Sequence, residues 1–179
     1  MIAKSLSIRI YKDIVGGVKA FFNPTIRLLV AFRIASWLGE KKRKGKYLAK
    51  MIDSVVLRHY RYKNGVVLFA NTKIGAGFKI CHCPGIVINN RTVIGDNFTI
   101  YQNSTVGATY GPDGGVPTIG NNVVMCAGSS VIGKVRVGDN VIVGAGAVVV
   151  KDVPDGAIVG GVPAKIISLD GKVKVKYYM

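Results

Sequence analysis

Residues 86–106 read IVINNRTVIGDNFTIYQNSTV, and within them Ile88, Ile94, Ile100 and Val106 fall six apart. After an interruption, residues 118–150, TIGNNVVMCAGSSVIGKVRVGDNVIVGAGAVVV, take up the same interval through Ile119, Met125, Val131, Val137, Val143 and Val149, and Ile74 and Ile80 extend the series at the front. Glycine follows the anchor in Ile74-Gly75, Ile94-Gly95, Ile119-Gly120, Val137-Gly138 and Val143-Gly144. A small or β-branched residue often sits four past it, as in Thr92, Ser104, Val123, Ser129, Val141 and Ala147. Dense Val and Ile broken by Gly, Asn and Asp every few residues predicts short strands and tight corners. A β-sandwich shows alternation without a fixed interval of six, so a repeat architecture is expected instead.

Upstream the period changes. Ile26, Leu29, Val30, Phe32, Ile34 and Trp37 recur at helical spacing, with Asn23 as N-cap and Pro24 at the first helical position. Gly39 and Gly45 flank the run Lys41, Lys42, Arg43 and Lys44, which is expected to end this helix in a solvated turn, and a second helix follows over roughly 46–62. The chain therefore divides into a basic helical segment (1–65), a repeat domain (66–165) with an extruded loop (107–118), and a tail (166–179).

The 179 residues suffice for a sizeable core; 49% are hydrophobic and 19% charged, which excludes a disordered chain. No uncharged apolar stretch approaches the ~18 to 20 residues of a membrane span. The net charge of +16 is concentrated at the front, where residues 1–65 hold fifteen Lys and Arg against Asp13, Glu40 and Asp53. Such an excess suits an anionic membrane surface, nucleic acid or an acidic substrate. Cys81, Cys83 and Cys126 form no CxxC pair and are odd in number, which fits a reducing cytoplasm without a disulfide framework or a thiolate metal site. The opening residues interleave charges with apolar residues and show no secretory signal.

The stretches ICHCPGIVINNRTVIGDNFTIYQNSTVGAT (80–109) and PTIGNNVVMCAGSSVIGKVRVGDNVIVGAGAVVVKDVPDGAIVGGVPAKII (117–167) carry a resemblance. The chain resembles the hexapeptide-repeat acyltransferases; it is similar to the serine O-acetyltransferases and, on this reading, closest to the exopolysaccharide and capsule (colanic-acid type) O-acetyltransferases. The resemblance implies a left-handed parallel β-helix of three short strands per coil, each anchor pointing to the axis of a triangular prism and glycine or asparagine turning its corners.

The resemblance also implies acetyl transfer from acetyl-CoA without a metal, and it places the catalytic histidine at His82, within Cys81-His82-Cys83-Pro84-Gly85. The other histidine, His59 in RHYRYKNG, reads as a junction residue. Serine acetyltransferases carry an aspartate before this histidine, an acidic residue fifteen positions upstream and Arg-His-Pro in the later loop; here those places hold Cys81, Val67 and Gly115-Val116-Pro117. On these departures a sugar hydroxyl of a surface polysaccharide, or of its lipid-linked precursor, is expected as acceptor. A serine acetyltransferase is the first alternative, and a non-catalytic scaffold or nucleic-acid binder the second.

With three anchors per coil, Gln102 stacks on His82, and the column continues through Ala127 and Ala145, each followed by glycine (Gly128, Gly146). Small side chains there leave a groove for pantetheine. Family resemblance independently places CoA contacts at Ala127, Ala145, Val150, Lys151 and Lys165, the two lysines meeting phosphates. Asn89 and Asn90, and Tyr110 and Asp113 in the loop, are candidate acceptor contacts, although asparagine at such corners is also an ordinary turn former. By analogy a homotrimer is expected, cytoplasmic and peripheral to the inner membrane face, with no nucleic-acid partner.

Overall fold

From Val66 onward every sixth-residue anchor is driven inward. Ile74, Ile80, Ile88, Ile94, Ile100, Val106, Ile119, Met125, Val131, Val137, Val143 and Val149 are all 7% exposed or less. Each such burial contributes roughly 1.5–3 kcal/mol of apolar transfer free energy. In the computed structural model, which describes residues 6, 9, 10, 13, 23–40 and 43–178 (Arg43 by its backbone alone), these anchors line a left-handed parallel β-helix with three flat faces. The first face stacks Val66–Val67, Ile86–Ile88, Thr105–Gly107, Ser130–Ile132 and Val148–Val149. Lys73–Ile74, Val93–Ile94, Thr118–Ile119 and Arg136–Val137 form the second. The third is Lys79–Ile80, Thr99–Ile100, Val124–Met125, Ile142–Val143 and Ile158–Gly160, with Lys165–Ser168 added antiparallel.

Register is fixed by pairing anchor on anchor, as in Ile80 with Ile100, Ile100 with Met125 and Met125 with Val143. The residues four past the anchors also point inward: Thr92, Ser104, Val123, Ser129, Val141 and Ala147 are fully buried. The corner between the second and third faces is turned by Asn97, Asn122 and Asn140, each at φ between 55° and 58°, the left-handed conformation that asparagine tolerates. Their amides form a ladder, Asn97 donating to Asn122 at 2.9 Å and Asn122 to Asn140 at 3.0 Å.

The lower end of this prism is closed by helices. α1 (Pro24–Gly39) starts as expected, the Asn23 side chain accepting from the Thr25 N–H at 2.9 Å. Its Leu28, Leu29 and Phe32 join the prism core, Phe32 meeting Phe78 edge-on and Phe78 stacking on Phe98. The carbonyls of Ile74 and Gly75, on the first coil's uncovered edge, are met instead by the guanidinium of Arg33, which is 2% exposed. Asp13 pairs with that guanidinium at 2.6 Å and accepts the Gly77 and Phe78 N–H groups at 2.9 Å. At the corner above, the Asn97 N–H reaches the carbonyl of Ala76 in the coil below; for Gly77 the Asp13 carboxylate takes that place.

The second helix is longer than its apolar pattern suggested. α2 (Arg43–Ile52) passes through a π-helical turn (Asp53–Leu57) into α3 (Arg58–Asn64). Gly45 is therefore inside a helix and buried rather than in a turn, while Lys41 and Lys42 lie outside the described residues. The wide turn lets Asp53 accept from the Ala70 N–H and pair with Arg61 at 2.8 Å, tying the helix to the first coil. At the upper end the chain packs back on the prism: Lys165–Ser168 pairs with Ile158–Gly160, and Val175 is buried with Val124 and Ile142.

Removing Asp13 leaves a buried guanidinium without its anion and two amides without an acceptor. Asp13→Ala is expected to cost about 3–5 kcal/mol of unfolding free energy, read from chemical denaturation; a loss below 1 kcal/mol would show that the pair does not hold the cap in place.

Candidate active site

The site forms where the six-residue rule is broken. Between Ile80 and Ile88 the interval is eight. The Cys81 N–H still bonds to the Ile100 carbonyl, so the strand enters the corner in register, yet it is the Pro84 carbonyl that accepts the Asn103 N–H. Above it the Gln102 carbonyl accepts from Gly128 and the Ala127 carbonyl from Gly146. The backbone column is therefore Pro84, Gln102, Ala127 and Ala145. His82 precedes it on a bulge of two additional residues, and its side chain is exposed. The expected stack of Gln102 directly on His82 is corrected in this respect: the pairing of Ile80 with Ile100 holds, but the inserted residues swing the histidine outward. The eight-residue interval was the signal in the sequence.

Tyr101 lies beside the bulge, its ring centroid 6.0 Å from that of His82 and tilted by 57°. Burial first, then a hydrogen bond with Cys81 and the neighbouring Cys81, Cys126 and Tyr178, push the Tyr101 phenol up to about 12. Burial, reinforced by Cys81, also pushes the Cys126 thiol up. Cys81 and Cys83 are half-buried; Cys83 packs on the core with its Sγ 3.6 Å from Thr25 Oγ1. Among the described residues no group of three His, Cys, Asp or Glu is placed to hold a metal ion, and no carboxylate pairs with His82.

Above the bulge the corner is open. Ala145 is exposed, and a Cβ added at Gly146 would meet nothing within 4 Å. Gln102 Oε1 is buried and has no hydrogen-bond partner among the described residues. Lys165 is at the upper end of this corner, where its strand pairs with Gly160.

The remaining candidates lie one corner away, between the first and second faces. Asn89 and Asn90 follow Ile86–Ile88, and the Asn89 side chain accepts the Arg91 N–H at 2.9 Å, as a turn former does. The extruded loop leaves the prism between Thr105–Gly107 and Thr118–Ile119, closed by Thr109 donating to Gly115 and Gly114 to Gly111, with Tyr110 85% exposed at its tip. Asp113 is exposed in the same loop, and Val150 and Lys151 are exposed on the turn after Val148–Val149. A single chain thus brings His82, Gln102, Ala127, Gly128, Ala145, Gly146 and Lys165 to one corner and leaves Asn89, Asn90, Tyr110, Asp113, Val150 and Lys151 at another. His59 is exposed in α3.

No family model matches the chain. Against individual proteins it is 39% identical over 148 residues to a serine acetyltransferase of Helicobacter pylori, covering 82% of this chain and 83% of that one. The chain belongs to the serine acetyltransferase family. It is also 36% identical over 150 residues to the serine acetyltransferase of Synechococcus elongatus, covering 83% of this chain but 59% of that enzyme's length. A solved serine acetyltransferase in complex with CoA superposes with a TM-score of 0.73 at 25% identity, covering 93% of this chain and 69% of that one. These relatives overturn the sugar acceptor expected from the sequence, and with it the saccharide partner and the place in polysaccharide synthesis. The reading failed because it took the missing acidic and Arg-His positions as evidence against the serine acetyltransferases, whereas members of that family match over most of the chain.

A phenol raised from 10.0 to about 12 keeps its proton in the folded state while the unfolded chain gives it up, so stability falls as pH rises through this interval. Urea midpoints measured from pH 9 to 11.5 are expected to fall less steeply for Tyr101→Phe than for the wild type. Parallel curves would show that folding does not raise the Tyr101 phenol.

Proposed function

We propose that the protein transfers the acetyl group of acetyl-CoA to the hydroxyl of serine, with His82 as general base. The observation that carries this is the corner itself: an exposed histidine on a two-residue bulge at the foot of a column of small residues. Pantetheine would run up that column over Ala127, Gly128, Ala145 and Gly146, where no side chain obstructs it. Lys165, and Lys151 of an adjacent copy, would meet CoA phosphates as point charges.

The division of residues between two corners supports a homotrimer. In such a trimer the corner bearing the loop of one copy would lie beside the His82 corner of the next. Asn89, Asn90, Tyr110, Asp113, Val150 and Lys151 would then complete the site. Serine requires an anion for its ammonium group. Asp96, Asp139, Asp152 and Asp155 each accept a backbone N–H from within the prism, and Asp170 is held by Ser168 and Lys174. Asp113 is the carboxylate of residues 66–178 with no such bond among the described residues, and we assign it the ammonium.

In the reaction His82 takes the serine hydroxyl proton as the oxygen attacks the thioester carbonyl; collapse of the tetrahedral adduct expels CoA thiolate, which recovers the proton from the imidazolium. O-acetylserine and CoA leave with the active site restored. We place the reaction in the cytoplasm, where CoA thioesters occur and the free Cys81, Cys83 and Cys126 stay reduced.

Incubation with acetyl-CoA and L-serine, followed by free thiol release, should show serine-dependent turnover; none at millimolar serine rejects serine as acceptor. His82→Ala is expected to lower kcat by about 10² to 10⁴ with CoA affinity little changed, and Asp113→Asn to raise KM for serine. Ala145→Trp should fold and assemble yet lose CoA binding, because its ring would lie across the open column. Retained CoA affinity in that variant would remove pantetheine from this corner.

A further inference from the structure

The helices beneath the prism present a surface that acetyl transfer does not use. α2 buries its small residues, Gly45 and Ala49, and turns its large apolar ones outward. Tyr47 is 62% exposed, Leu48 47%, Met51 57% and Val55 65%; Tyr62, two turns further on, is 84% exposed. Their spacing places them along one side of the continuous helix 43–64, the reverse of the arrangement in which a helix packs its apolar stripe onto the core. Lys44, Lys46, Lys50, Arg58 and Lys63 are exposed around this stripe. The only carboxylate of residues 43–64 is Asp53, already paired with Arg61 and bonded to Ala70.

A cavity of about 750 Å³ opens along the flank of the stripe, between the helices and the first coil, lined by Ala49 and Ile74, by Lys46, Lys50 and Lys73, and by the carboxylates Glu40 and Asp53, which pair with Arg9 and Arg61. Among the described residues no carboxylate pairs with these three lysines.

We infer that this face docks on an anionic phospholipid surface, Tyr47, Leu48, Met51 and Val55 entering the interface and the lysines meeting headgroup phosphates. Charge complementarity decides the occupant. In a two-fold contact a second copy of the chain would set this cationic rim against itself, with no exposed carboxylate on the helix to answer it. A nucleic-acid backbone would satisfy the lysines but leave the apolar stripe facing water. A bilayer with anionic headgroups satisfies both. The inference is independent of which hydroxyl accepts the acetyl group.

The test is co-sedimentation of the full chain with vesicles of phosphatidylcholine alone or with 30% phosphatidylglycerol, at 50 mM and 500 mM salt. Binding to the anionic vesicles should exceed binding to neutral ones at least twentyfold at low salt and fall at high salt. Met51→Glu/Val55→Glu should weaken anionic binding at least tenfold. Lys46→Gln/Lys50→Gln should weaken it roughly twenty-five-fold, about fivefold per cation. The exposure of all four side chains makes loss of fold unexpected, and circular dichroism with the urea midpoint checks it. Absent wild-type binding, or equal binding by both variants, overturns the inference. So does a smaller native mass in Met51→Glu/Val55→Glu with vesicle binding unchanged, which would identify the face as a contact between copies.

Discussion

Each coil of this protein exchanges backbone hydrogen bonds with the coil above and the coil below and with little else. That constraint reaches every other feature. It fixes register, because a slip of one residue would turn an entire set of Ile and Val anchors outward. It also leaves two open ends whose carbonyls and amides have no natural partner, and the sequence meets them with dedicated groups. At the lower end a buried carboxylate and guanidinium, Asp13 and Arg33, stand in for the absent coil, bonding Ile74, Gly75, Gly77 and Phe78. At the upper end the chain reverses on itself and lays an antiparallel strand on the last parallel one.

The same constraint decides where chemistry can be added. Additional residues cannot enter a face without breaking the ladder, so they are expelled at corners. The two largest departures from a period of six are the bulge bearing His82 and the loop bearing Tyr110 and Asp113. Both are exposed, and the bulge belongs to a corner held in the left-handed conformation coil after coil, by Gly85, Asn103, Gly128 and Gly146. An exposed group on a stiff support is what positioning the proposed general base, His82, requires.

Much of this was legible in the sequence. Twelve anchors, six apart except across the bulge and the loop, with glycine beside many of them, leave few folds to choose from, and all twelve are buried. The first helix was legible for a different reason: its cap is local, written in Asn23 and Pro24. What escaped was whatever depended on contacts between distant residues. Gly45 reads as a breaker, but it is buried within a helix. Nothing local announces that Asp13 would bond with residues 77 and 78, or that Val175 would close the upper end. The outward swing of His82 lay open in the numbering, as an interval of eight where six was expected, and was obscured by counting from one strand alone. The acceptor was misjudged because absent side chains were given more weight than the matching stretches around them.

The column at the His82 corner also converts coil number into length. Successive coils are one strand spacing apart, about 4.8 Å, so the rise from the bulge at Pro84 through Gln102, Ala127 and Ala145 to Lys165 is counted in whole steps. Gaining or losing one complete turn would move the lysine relative to the histidine by a single step and leave each corner's local geometry untouched. Under the proposed function, the reach of a flexible carrier arm would then be matched by a number of repeats rather than by the choice of any one residue, and evolution could adjust it by duplicating sequence.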